Sequence, residues 1–136
     1  MPAPEQIAVM AKHYVIAAIW AECPEGTRPR ATAAAHAHAL KVCTAFAELA
    51  GPLLEGAVTR DGYGSHPDCG TVHPAYAAAG HDLWLTSQGH GAGFWDREPL
   101  QAGQLGERLS KLAEHFPVAA EFYRGWLYLY GGLPRG

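Results

Sequence analysis

The sequence predicts an α+β fold: an N-terminal antiparallel helix pair packed on a small antiparallel sheet of two β-hairpins, with one helix between the hairpins on the other face. Three observations predict it. Apolar residues recur at helical spacing through residues 4–50, and leucines at 105, 109 and 112 form a narrower helical stripe. Between and after these stretches, residues 81–97 and 119–130 alternate apolar, aromatic and polar types around Gly-containing turns, the pattern of hairpins.

The chain is read as a single domain, 1–136, since 49% hydrophobic and 17% charged residues suit one compact core. Its parts are a helix pair (4–55), a Gly/His-rich loop (56–80) and a ββαββ unit (81–130). The first helix spans Pro4 to Glu22, with Ile7, Met10, Ala11, Tyr14, Val15, Ala18 and Ile19 in one stripe. Pro4 suits a first helical turn, and Cys23-Pro24 ends the helix because the residue before proline is driven out of the helical region. After a polar connection, a second helix begins near Arg30–Thr32, with Thr32 as N-cap, and stops at Gly51-Pro52. Its lines carry Leu40, Cys43, Ala47 and Ala50 beside Ala39, Phe46 and Leu49, and His36, on the first line, reads as a buried or boundary residue.

Residues 56–80 show no lasting periodicity and are expected to be a loop with one helical turn near Ala75–Ala79. The run GHDLWLTSQGHGAGFWDR, Gly80 to Arg97, is expected to be a hairpin pairing Leu85 with Phe94, Trp84 with Trp95, and Asp82 with Arg97. That register puts Asp82 and Asp96 on opposite faces and makes Asp82–Arg97 an edge ion pair. The leucine helix, with Phe116 at its end and Pro117 beyond, is expected to lie on the Leu83/Leu85/Phe94 face. A C-terminal hairpin turns at Arg124-Gly125 and alternates Phe122, Leu127 and Leu129 with Tyr123, Trp126, Tyr128 and Tyr130. The aromatic face is expected to be covered by the helix pair, with Tyr14 and Trp20 joining it.

The central run, followed by Leu105-Gly106-Glu107-Arg108-Leu109 and a closing hairpin, resembles a family of small phage, prophage and plasmid proteins whose core reads close to GHDFWLTRNGHGAGFWDR. Tyr14, Ala18, Trp20, Phe46 and Leu53 are similar too, so the resemblance covers most of the chain. It departs at Ser87-Gln88, where the family usually has Arg-Asn, and in a longer loop between Gly56 and Gly80. The resemblance implies a mobile-element accessory protein and supplies no catalytic residues.

The candidate chemistry is sparse. Gly89, His90, Gly91 and Gly93 at the expected hairpin tip, with Asp82 near by, form a candidate binding site, because glycines let several amides converge on an anion. The simpler reading is that they supply positive φ at a turn. His66, Cys69, His73 and His81 form a candidate zinc site at short spacing, although it matches no standard zinc pattern and two of its histidines precede prolines. No GxSxG, P-loop or dinucleotide fingerprint occurs, so no catalytic residues are assigned and no cofactor is required, zinc being the alternative.

A net charge of -3 gives no basic footprint and argues against nucleic acid as a partner. Three widely spaced cysteines without a CxxC read as reduced thiols. The N-terminal apolar run lacks a basic start and is broken by Lys12 and His13, unlike a signal peptide. No stretch is long enough to span a bilayer. The expectation is a cytoplasmic chain with no membrane association, and nothing in the sequence specifies an oligomeric state. The expected function is a non-enzymatic phage or plasmid accessory protein that binds a host or phage protein, with inhibition of a host defence system, of anti-CRISPR or anti-restriction type, as its product. The alternatives are a metal-dependent hydrolase or nuclease using the loop histidines and, more weakly, a nucleic-acid-binding module.

Overall fold

A computed structural model describes residues 1–64 and 71–133 of the chain. Among these the fold is mixed helix and sheet: α1 (Pro4–Glu22), β1 (Arg30–Ala31), α2 (Ala33–Ala50), α3 (Pro52–Val58), α4 (Pro74–Ser87), α5 (Leu105–Ala113), β2 (Ala119–Tyr123) and β3 (Trp126–Tyr130). Short 3-10 turns at Phe94–Asp96, Glu98–Leu100 and Ala102–Gln104 bridge α4 to α5.

The first helix has the predicted bounds. Gln6 reaches back so that its side-chain oxygen accepts from the Ala3 N–H at 2.8 Å, and Cys23 before Pro24 is extended. In α2, the Thr32 hydroxyl accepts from the Ala35 N–H at 2.9 Å as N-cap, and it also lies 3.2 Å from the Leu127 carbonyl, to which it donates. The buried face of α2 runs through Ala35, Ala39, Val42, Cys43, Phe46 and Ala47. Leu40, Leu49 and His36, expected on or near the apolar stripe, face solvent instead. Small alanines take the inner positions, where neighbouring elements approach closely.

The predicted hairpin over residues 81–97 does not form. Its first half is the C-terminal part of α4, and its second half is the first 3-10 turn and the chain leading out of it. The physical reason is burial. Every residue from 82 to 86 is buried, as are Ala77, Ala79 and Gly80, so this part of α4 is buried on more than one face and carries no one-sided helical stripe. Gly80 is needed for contact, not for a turn: a Cβ there would collide with the Met10 carbonyl of α1. The loop read over 56–80 is likewise shorter than expected, since α3 begins at Pro52 and α4 at Pro74.

Helix α4 ends in a Schellman motif. Gly89 takes φ +73°, its N–H bonds the Thr86 carbonyl at 3.1 Å, and the His90 N–H bonds the Leu85 carbonyl at 3.0 Å. The Thr86 hydroxyl then accepts from the Phe94 N–H at 3.1 Å and fixes the first 3-10 turn over the helix end. Helix α5 packs on α2, α3, α4 and that turn, rather than on a sheet face. Gly106 gives it the clearance to pass the Phe94 backbone. Phe46 of α2 stacks on Phe94 at 5.7 Å between ring centres and meets Phe116 edge-on at 5.8 Å, which joins the helices in one core.

The sheet has three strands in the order β1-β3-β2. β2 and β3 form the predicted C-terminal hairpin, with Tyr123 opposite Trp126 and Ala119 opposite Tyr130. Arg124 and Gly125 take φ of 51° and 82°, as a type I′ turn requires. β1 pairs parallel to β3, and comes from the stretch read as a connection at the start of the second helix. Leu127 and Leu129 point into the core, and β3 lies against α2. The aromatic face is not covered by the helix pair, because α1 lies against α4. No helix among the described residues is long and apolar enough to cross a membrane.

Candidate functional site

The C-terminal half of α1, one face of α4 and the segment 90–99 enclose a cleft of about 950 Å³. Its position follows from spacing. Ala77, Ala78, His81, Asp82 and Leu85 share one side of α4, and His13 and Trp20, two turns apart on α1, face it. Tyr63, from the end of the segment after α3, and Arg97 complete the lining near Asp82.

Asp82 is the anchor. Its side chain is 2% exposed and is held by a tyrosine hydroxyl and a guanidinium. The Tyr63 hydroxyl donates to Oδ2 at 2.7 Å, while Arg97 Nε and Nη2 donate to Oδ1 at 3.0 and 2.7 Å. Burial, then the Asp82 charge and hydrogen bond, raise the Tyr63 pKa well above the usual phenol value, so this hydroxyl keeps its proton. Burial works against the Arg97 charge, but Asp82 and Asp96 outweigh it and hold the guanidinium firmly protonated. Asp96 Oδ1 accepts from the Gly93 N–H at 3.0 Å and lies 3.8 Å from Arg97 Nε. The predicted Asp82–Arg97 pair therefore exists, but it is a buried network with a tyrosine rather than an edge pair. Asp82 and Asp96 sit on the same guanidinium, not on opposite faces.

Histidines occupy the rest of the cleft. The His90 Nε2 contacts the Glu22 carboxylate, which fastens the loop after α4 to the end of α1. The His81 ring lies 5.7 Å from that of Trp20, tilted by 40°. Burial, then Lys12 and His81, lower the His13 pKa below its ordinary value. Trp20, expected under the aromatic face, is 71% exposed at the cleft mouth.

At the predicted glycine site the backbone N–H groups already have partners at three of the four positions. Gly89, His90 and Gly93 spend their N–H groups on Thr86, Leu85 and Asp96, and Gly91 is an exposed link between them. Of the candidate zinc ligands, His66 and Cys69 lie outside the described residues. His73 and His81 are two helical turns apart along α4, about 12 Å of rise, and face different neighbours: His73 meets Tyr76, and His81 meets Trp20. Among the described residues no three His, Cys, Asp or Glu side chains are grouped to hold a metal ion.

Nothing in the sequence marked Tyr63, His13 and Glu22 as neighbours of this run. The available signal was the spacing 77, 78, 81, 82, 85, which makes one helical face but alternates wrongly for a strand.

The second candidate is the outer face of the sheet. Tyr123, Trp126 and Tyr130 stand exposed there beside Tyr128, whose ring stacks on that of Tyr130 at 6.5 Å. Arg124 lies over the Tyr123 ring at 5.2 Å. Comparison with protein-family models, with curated proteins and with solved structures finds no match to this chain, so no relative's residues bear on either site.

Proposed function

We propose that this chain is an accessory protein that works by binding another protein through the aromatic face of its sheet, rather than by catalysis. One observation carries the reading: Tyr123, Trp126 and Tyr130 are 43–60% exposed on one face of the hairpin. Large aromatics in water are costly unless a partner covers them, and tyrosine and tryptophan are the types that dominate protein interfaces. Their inner neighbours Leu127 and Leu129 already satisfy the core, so folding does not require the outer set to be aromatic. The resemblance to mobile-element proteins motivates the class of partner: a host protein, with a component of a defence system as the target.

The test is a cross-linked pull-down from bacterial extract with wild type and with Trp126→Ser/Tyr130→Ser. The expected result is a partner retained by wild type and lost by the double variant, whose melting temperature stays close to wild type. No partner, or the same partner on both baits, overturns the reading.

A further inference from the structure

We propose that the cleft between α1 and α4 is a binding site for an organic cation, a guanidinium or ammonium group seated against the Trp20 ring and facing Asp96 and Glu98. This site is separate from the sheet face and does not depend on the reading of it.

Shape comes first. A cleft of about 950 Å³ is of the size that takes a small molecule or an extended side chain. Ala77, Ala78, Leu85, Ala92 and Pro99 give it apolar walls for an alkyl chain. Trp20 stands at its mouth with most of its surface in solvent, the aromatic residue best suited to a cation. His81 packs against that ring at 5.7 Å and limits its orientation.

Sign comes second. Asp82, Asp96 and Glu98 line the cleft against one guanidinium, Arg97. Arg97 is consumed by Asp82, with two of its N–H groups on one carboxylate oxygen. The outer charges are Glu98 and Asp96, both exposed, with Asp96 Oδ1 also 3.8 Å from Arg97 Nε. Around them the titratable groups are His13 from α1, with Lys12 beside it, His81 from α4, and His90 from the following loop, held by Glu22. The lining carboxylates Asp82, Asp96 and Glu98 outnumber Arg97, so the cleft favours a cation over an anion.

The experiment titrates nitrogen-15-labelled full chain with two probes, agmatine and a capped glycine pentapeptide carrying one arginine, with inorganic phosphate as control. At pH 8, one or both probes are expected to give saturable shifts of the Trp20 indole N–H and the Asp96 and Glu98 amides. Tighter binding of the peptide names a polypeptide side chain as the source, and tighter binding of agmatine names a free amine. Trp20→Ala should weaken binding about two- to fivefold, and Glu98→Gln should weaken it too. Both residues are exposed, so the fold is kept and an unchanged melting temperature verifies it. No saturable shift with either cation, or phosphate moving these signals while the cations do not, overturns the proposal.

Discussion

Helix α4 and the β2–β3 hairpin are built from similar residues, and the fold uses them in opposite ways. Each sets a tryptophan next to leucines: Leu83-Trp84-Leu85 in the helix, and Trp126 followed by Leu127 and Leu129 in the strand. In α4 the rings and leucines are enclosed on every side; Trp84 meets Tyr14 edge-on at 5.2 Å and neither is exposed. In the hairpin the leucines go in and the aromatics stay out. What separates them is neighbourhood. Gly80 lets α1 come down onto α4 backbone to backbone, whereas the Arg124-Gly125 turn forces a two-faced ribbon with only one face against α2. Aromatic residues thus report the core in one region and an interface in the other.

Enclosure has a cost that the hairpin avoids. The Tyr14 hydroxyl and the Trp84 indole N–H are buried without a hydrogen-bond partner among the described residues. Burial first, then the neighbouring Cys43, raises the Tyr14 pKa well above the phenol range. The packing of two large rings must outweigh these desolvated groups.

The sharpest test sets one tryptophan against the other. Trp84→Ala should cost about 3–5 kcal/mol in denaturant unfolding, as large core truncations do. Trp126→Ala should cost about 0.5 kcal/mol, as a surface change does. Equal losses would mean the hairpin face is as much a part of the core as α4. Next comes Asp82→Ala, which strands the Tyr63 hydroxyl and the Arg97 guanidinium and should cost about 3 kcal/mol. A melting temperature within a degree of wild type would reduce the Asp82 network to a surface pair. The smallest effect is the pH dependence of His13. Its folded-state pKa lies below the ordinary value, so the unfolded chain takes up the proton first as pH falls. Stability from keeping His13 neutral is present above about pH 6.5 and is lost as pH falls through the folded value. Wild type should therefore lose more melting temperature than His13→Gln between pH 7.5 and 5.5; equal losses would refute this.

Much of the fold was legible because its signals were local. Pro4 and Cys23-Pro24 bound α1, Thr32 caps α2, the leucines mark α5, and Arg124-Gly125 turns the last hairpin. The cleft was not legible, because it depends on α4 being a helix. Trp84 and Thr86 have the aromatic and β-branched character of a strand and Gly80 weakens a helix in isolation, whereas contact with α1 and the Phe94 turn favours the helix. The Asp82–Arg97 pair was anticipated through a strand register, yet what joins them is the reversal of the chain over the Gly89 cap. Trp20 is placed by α1 alone, so its exposure carried no trace in the central run.

The parallel pairing of β1 with β3 sets a timetable for the molecule. Thr32 bonds Leu127, 95 positions later in the chain, so the sheet has to wait for nearly the whole polypeptide to emerge from the ribosome. Helices α1 to α4 can meet before that, since their contacts span shorter separations and close at lower entropic cost. On this order the nascent chain encloses its cleft first and acquires its aromatic face last, when the core that supports that face is already in place.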